Sequence, residues 1–321
     1  MTELRLVADS NTESSISSKQ DESSTYSVTA IGSCRIVGPL RHLQQSEPMI
    51  LNQSGVYGYS HSCTEVRKHL THLLKGTRPP NELLPILSPS AQSANVIDEP
   101  HEKSNFYVFE LSSTKIIKVD DHPVQLNYLN RYFRTFFADT NRTRAFWALA
   151  KTGSHSEMRN FLENIHEYKE LTENDQKLLS RIRLEVTTPQ QLRLDIDAIR
   201  SSVSDHLFVT HFDAYGGDGK LIQIRASYLK MVREALIDCG VTWYDPTESI
   251  AAFGQKLALD DPEKSLSHYS PSFEKYLSGN WWHRFIHPTQ KERKMDERLR
   301  QRIRETAKAT PSDLEALLLQ T

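Results

Sequence analysis

The sequence predicts an α/β fold, in which a parallel sheet is covered by helices on both faces and carries an inserted helical cap. Three observations lead there. Strand, loop and helix alternate over residues 26–122 and again over 201–290. Residues 123–200 between them read as helix. The apolar strand candidates also share a feature: they end on Gly32-Ser33-Cys34, Ser112-Ser113, His211 to Asp213, and Asp245-Pro246-Thr247. Ligands of open α/β sheets bind beyond the carboxyl ends of the strands, so these small, polar and reactive exits mark one functional edge.

Residues 1–25 are rich in Ser, Thr, Asp and Glu and are expected to be a mobile tail, since they have little apolar surface to offset their ordering entropy. YSVTAIGSC (26–34) is a buried strand broken by Gly32-Ser33. A short helix over 35–46 follows, with Pro39 tolerated in its first turn. Ser62 and Glu65 have capping-box spacing, which starts a helix near Cys63 and leaves Gly55-Val56-Tyr57-Gly58 as the loop before it. The proline-rich stretch 75–104 reads as a surface excursion. NFYVFELSS (105–113) is the second strand. From 123 to 200, QLNYLNRYFRTFF, RAFWALAKT, MRNFLENIHEY and LLSRIRLEV repeat apolar residues at helical intervals, and no strand is expected. HLFVTHF (206–212) is the third strand, DAYGGDG a turn, Leu221 to Cys239 a helix, and GVTWYDP (240–246) a short fourth strand. Basic residues at helical spacing place C-terminal helices in 291–321.

Composition narrows the function classes. Lys and Arg number 39 against 41 Asp and Glu, a formal charge of −2, which argues against a nucleic-acid partner. No apolar run reaches membrane-spanning length, and the N-terminal residues lack a signal-peptide core. The three cysteines, Cys34, Cys63 and Cys239, have no CxxC spacing, so neither a disulfide framework nor a thiolate metal site is expected; a reducing cytoplasm suits them.

Cys34 is the first candidate for chemistry. It follows a glycine at a strand-to-helix turn, where backbone N–H groups can lower a thiol pKa and donate to an oxyanion. Ser33 is the neighbouring alternative. A base is needed, and His268 in SLSHYSPSF is the best placed, with His211, His61 and His287 as alternatives. Arg35, Lys115 and Arg225 lie near strand exits or helix starts and can hold a carboxylate or phosphate. Trp281 and Trp282, with Tyr276 and Phe285, read as packing.

IGSCRIVGPL resembles the opening motif of the GSCFA proteins, a branch of the SGNH hydrolase-like superfamily. GVYGYSH resembles that family's second loop, HLFVTHFDAYGGDGKLIQIRASYLKMVREAL its strand, turn and long helix, and HYSPSF its final His-Pro block. A weaker likeness is to WcbI-type capsule polysaccharide biosynthesis proteins, which open on a similar Gly-Asn-Cys. The resemblance implies a flavodoxin-like three-layer sandwich and acyl-ester chemistry, often on glycans. It assigns Cys34 as nucleophile, His268 as base, and oxyanion donors at the Cys34 backbone, Gly58 and the Ser112-Ser113 turn. The sequence departs from the pattern where an Asp is expected three residues before the histidine. Ser265 stands there, so Asp245, Asp260, Asp261 or a main-chain carbonyl must orient the ring.

These readings divide the chain into a tail (1–25), an SGNH-like domain (26–122 and 201–290), a helical insertion (123–200) and C-terminal helices (291–321). They imply a hydrolase or O-acyltransferase working on a small-molecule or glycan ester, with Ser33, Arg35 and His211 as further binding residues. No metal or obligatory cofactor is expected, and acyl-CoA is a candidate donor. The alternative is a non-catalytic protein that binds a glycan or nucleotide-sugar on the same scaffold.

Overall fold

A computed structural model describes residues 26–88, 95–262 and 266–287. The expected tail, the C-terminal helices and Ser265 lie outside the described residues. Eight strands form two sheets. β1 (Tyr26–Ile31), β2 (Met49–Leu51), β3 (Phe106–Leu111), β7 (His206–Thr210) and β8 (Trp243–Tyr244) make a parallel sheet in the order β2-β1-β3-β7-β8. β4 (Lys115–Val119), β5 (His122–Val124) and β6 (Ile182–Val186) make an antiparallel sheet in the order β5-β4-β6.

Alternating side chains give the parallel sheet two apolar faces. Val28, Ala30, Phe106, Val108, Leu207 and Val209 pack with Ile36, Leu40, Phe273 and Leu277 of the helices Cys34–Ser46 and Pro271–Trp281. Ile31, Tyr107, Phe109 and Phe208 face the other way, toward the helices Cys63–Lys75, Pro189–Ser202 and Gln223–Cys239. The result is the expected three-layer α/β sandwich. Its central strand β3 is buried along its whole length.

Counted along the parallel strands alone, the order is 2-1-3-4-5, that of flavodoxin-like folds. The chain runs outward from β1 to β2 and then returns to the other side of β1 for β3. The carboxyl ends of β1 and β3 therefore diverge at a topological switch point, where such sheets bind their ligands.

The insertion differs from its helical reading. IRLEV forms strand β6, pairing antiparallel with β4 from Lys115↔Val186 to Val119↔Ile182. Pairing with β4 decides this rather than alternation, because burial simply declines along the strand: Ile182 is buried, Arg183 and Leu184 are partly covered, and Glu185 and Val186 are exposed. The small sheet begins before residue 123, while the Pro189–Ser202 helix packs into the central core instead. A third core joins Ile117, Val119, Phe133, Phe136, Phe146, Met158 and Leu179. Leu83, Ile86 and Leu87 enter it as well, so part of the 75–104 stretch is an anchor rather than a surface excursion. Met49–Leu51, an edge strand, was too short to stand out in the sequence.

Candidate active site

Two helix starts bring the chemistry together. Ser33 caps the Cys34–Ser46 helix, its side chain accepting from the Arg35 N–H, and Cys34 is the first helical residue. The segment carrying His268 is pinned by the Leu259↔Tyr269 bridge and by the Asp260 N–H donating to the His268 carbonyl at 3.1 Å. Ser270 then caps the Pro271–Trp281 helix. This helix packs along Cys34–Ser46, where Glu274 lies directly over Gly38. The Cys34 Sγ consequently sits 3.2 Å from His268 Nδ1, across 234 residues of sequence.

The thiol differs from expectation in its charge. Burial pushes the Cys34 thiol up, and the Glu110 carboxylate adds to this, while Arg35 and Ser33 oppose it. The thiol therefore keeps its proton to higher pH than an ordinary cysteine, instead of being a thiolate held by the helix start.

Glu110, near the end of β3, organises the floor. Its carboxylate is buried, accepts the Ser33 N–H at 2.6 Å and forms an ion pair with the buried Arg35 guanidinium. Burial opposes its charge, but Arg35, His61 and Ser33 outweigh that and hold the carboxyl well below the usual range. A side chain at Gly32 would meet Glu110 Cβ at 2.5 Å, so the turn into Cys34 requires glycine. Glu110 was missed in the sequence reading; its signal was a lone carboxylate inside the apolar strand NFYVFEL.

A cleft of about 660 Å³ opens above this floor. Ser33, Cys34, Arg35, His211 and His268 line it on the sheet side, with Ser112 and Ser113 at the exit of β3. Tyr59, His61 and Glu65 come from the loop and helix start that follow β2. The opposite wall belongs to the insertion: Lys115, Ile117, Gln125, Leu126, Trp147 and Leu184. Gln125 is buried, and its Nε2 has no hydrogen-bond partner among the described residues, as is the case for Arg35 Nη1.

Several expected roles shift. Ser112 and Ser113 line the cleft, but their N–H groups donate to the His61 carbonyl at 2.8 and 3.0 Å, leaving neither free for an oxyanion. The Ser113 hydroxyl locks the turn to Lys115. Gly58 does not line the cleft; a side chain there would strike the Leu87 carbonyl, so its absence of Cβ serves close packing. Asp245 is also elsewhere. It accepts from Arg233 Nε at 2.5 Å and from the Thr247 N–H, and it lines a separate hollow beyond β8. Among the described residues no carboxylate hydrogen-bonds the His268 ring. His287 stacks on Trp282, and Trp281 is fully buried, in keeping with packing roles.

Two further donors belong to residues that line the cleft. The Cys34 N–H has no partner among the described residues. His211 Nδ1 accepts the Phe212 N–H at 2.8 Å, which puts the neutral ring's proton on Nε2. Burial, reinforced by Arg35 and Arg225, holds the His211 pKa well below the ordinary imidazole value, so the ring stays a neutral donor.

Comparison with known proteins covers all the residues that line the cleft. A family model described as the TviD N-terminal domain matches residues 26–284. The Vi polysaccharide biosynthesis protein TviD of Salmonella typhi is 30% identical over 254 residues, which is 78% of this chain and 30% of that protein. The chain thus spans under a third of that relative's length.

Proposed function

The chain belongs to the TviD N-terminal domain family, and from that premise we propose that it is an SGNH-like hydrolase or O-acyltransferase acting on an acyl ester of a glycan. The relative's part in polysaccharide biosynthesis supports the glycan. The 3.2 Å contact between Cys34 Sγ and His268 Nδ1, at the switch point of the parallel sheet, carries the chemistry.

In this reading His268 Nδ1 takes the thiol proton as Sγ attacks the acyl carbonyl. The carbonyl electron pair moves onto oxygen, where the Cys34 N–H and His211 Nε2–H receive it. Collapse expels the donor's leaving group and leaves a thioester on Cys34. Water or a glycan hydroxyl then resolves it, giving hydrolysis or transfer. Acyl-CoA fits as a donor, and no metal enters the scheme.

Cys34→Ala should abolish turnover of para-nitrophenyl acetate or acetyl-CoA while the circular dichroism spectrum is retained, and the native protein should carry an acetyl adduct on Cys34. Undiminished turnover in the variant would overturn the assignment. The His268 ring, with no carboxylate on it among the described residues, favours one rival: a binding protein for glycans or nucleotide-sugars. Specific glycan binding without any Cys34-dependent turnover would decide for that reading.

A further inference from the structure

We propose that His61 is a second proton carrier in the cleft, protonating the oxygen of the departing alcohol and then deprotonating the acceptor hydroxyl, while His268 handles only the proton of the thiol. The proposal rests on the reading of Cys34 as nucleophile.

The cleft contains two imidazoles in very different settings. His268 has Nδ1 on the thiol. His61 has Nδ1 3.1 Å from Ser112 Oγ and 3.7 Å from Glu110 Oε1. Its backbone is fixed as well: the N–H donates to Glu65 Oε2 at 2.5 Å, and the carbonyl accepts two N–H groups from the β3 exit. With acceptors facing Nδ1, that nitrogen keeps its hydrogen, and Nε2 is the atom left to exchange a proton. A carboxylate behind Nδ1 is the arrangement that orients a catalytic imidazole and stabilises its charged form. Here it backs the histidine that is not on the sulfur.

The charged groups around this ring favour the imidazolium. Burial works against it, as does Arg35 from the first helix; His211, which follows β7, is kept neutral and adds no opposing charge. Glu110 from β3 and Glu65 from the Cys63–Lys75 helix outweigh them, and His61 holds its proton to higher pH than an ordinary imidazole. His211, neutral by the same surroundings, cannot share the task.

The protons balance across a full cycle. In the first half, the S–H proton passes to His268 as the S–C bond forms, and the C–O bond to the leaving alcohol breaks as that oxygen takes a proton from His61 Nε2. In the second half, the now neutral His61 removes the acceptor's hydroxyl proton as its oxygen attacks the thioester. The sulfur leaves with the proton held on His268. Both rings return to their starting states with no outside acid or base.

A poor leaving group needs this acid, and an activated one does not. His61→Gln should therefore lower kcat/KM on a sugar acetate by about a hundredfold or more, the usual contribution of general acid–base catalysis, against about threefold or less on para-nitrophenyl acetate. Native protein should also show an alkaline limb in its pH profile for the sugar acetate that is weak or absent for the aryl ester. An equal loss on both substrates, or no loss on the sugar acetate, would overturn the role of His61. If the variant does not fold, identical pH profiles for the two esters in the native protein would do the same. Absence of any Cys34-dependent aryl-ester turnover in the native protein would instead remove the underlying acyl-transfer reading, and this proposal with it.

Discussion

Cys34 combines two opposing influences, a helix start that favours charge and a buried floor that disfavours it. Burial and the Glu110 carboxylate prevail, so the thiol keeps its proton to higher pH than an ordinary cysteine, and in the proposed reaction His268 must take that proton as the sulfur attacks. This has a measurable consequence. Alkylation of Cys34 by iodoacetamide should climb through the alkaline range instead of levelling off below neutral pH. Glu110→Gln removes a charge that raises the thiol pKa and should move the curve to lower pH; a plateau below neutral pH in the native protein would contradict this. Cys63, buried, and Cys239, pushed up to about 11 chiefly by burial, should label slowly throughout and serve as internal references. The pairing of Cys34 with His268 was legible because their neighbours are local: Gly-Ser before the thiol, and Ser and Pro around the histidine. The groups that orient them were not. Glu110 looks like a stray charge in a strand until Arg35 and the Ser33 N–H are seen to converge on it from 75 and 77 residues away. Asp245 looked suitable because it too follows a strand. But β8 is the edge strand farthest from the switch point, and its exit carboxylate is committed to Arg233.

The loop that carries Tyr59 and His61 into the cleft is held from beneath by one residue of the Cys63–Lys75 helix. His69 Nε2 accepts the Tyr57 N–H at 3.2 Å, Nδ1 lies 3.3 Å from Ser60 Oγ, and the ring stacks on Tyr57 at 4.0 Å. Accepting at Nε2 requires a neutral ring. Burial, with the nearby His72 and His101, lowers its pKa to about 3. Unfolded, the ring returns to the ordinary value of 6.5, so between these pH values the unfolded chain binds the extra proton. The stabilisation is complete above that upper value and is lost as pH falls, by an amount on the order of a few kcal/mol. Thermal melts should show the melting temperature dropping as the solution is acidified below about pH 6.5, with a shallower slope in His69→Gln. Equal slopes would show that acid acts elsewhere, for example at His72 and His101, which burial also depresses. At this scale the sequence was readable wherever an element's signal is its own, as in the Ser62–Glu65 capping box, which is present in full. It was unreadable where the signal belongs to a partner. IRLEV and KIIKV each carry few residues, and only their pairing with one another makes them strands.

The insertion, not the sheet, turns the switch point into an enclosed site. β4 begins four residues after β3 ends at Leu111, so the small antiparallel sheet follows directly at the edge that carries Cys34. The Tyr59 N–H donates to the Tyr128 hydroxyl at 3.1 Å, tying the cleft loop to this second body. The wall it presents has two parts: Ile117, Leu126, Leu184 and Trp147 supply apolar surface, and the buried Gln125 supplies an amide donor with no described partner. In the proposed reaction such a wall takes no part in bond making, which is assigned to the opposite side at Cys34. It suits the part of a substrate that lies beyond the acyl group, and an indole face is well matched to the apolar face of a sugar ring. Trp147 is half-buried and stacks on Phe137 with an interplanar angle of 7°, so its ring is held in place before any ligand arrives. Replacing it by alanine removes contact surface while leaving the fully buried core residues Phe136 and Phe146 beneath it. Trp147→Ala should therefore raise KM for an acylated oligosaccharide by about fivefold, equivalent to roughly 1 kcal/mol of lost contact, with kcat little changed. The KM for a short aryl acetate, which does not reach this wall, should stay close to the native value. A fall in kcat with both substrates would instead mean that the insertion aligns the nucleophile edge rather than recognising the glycan.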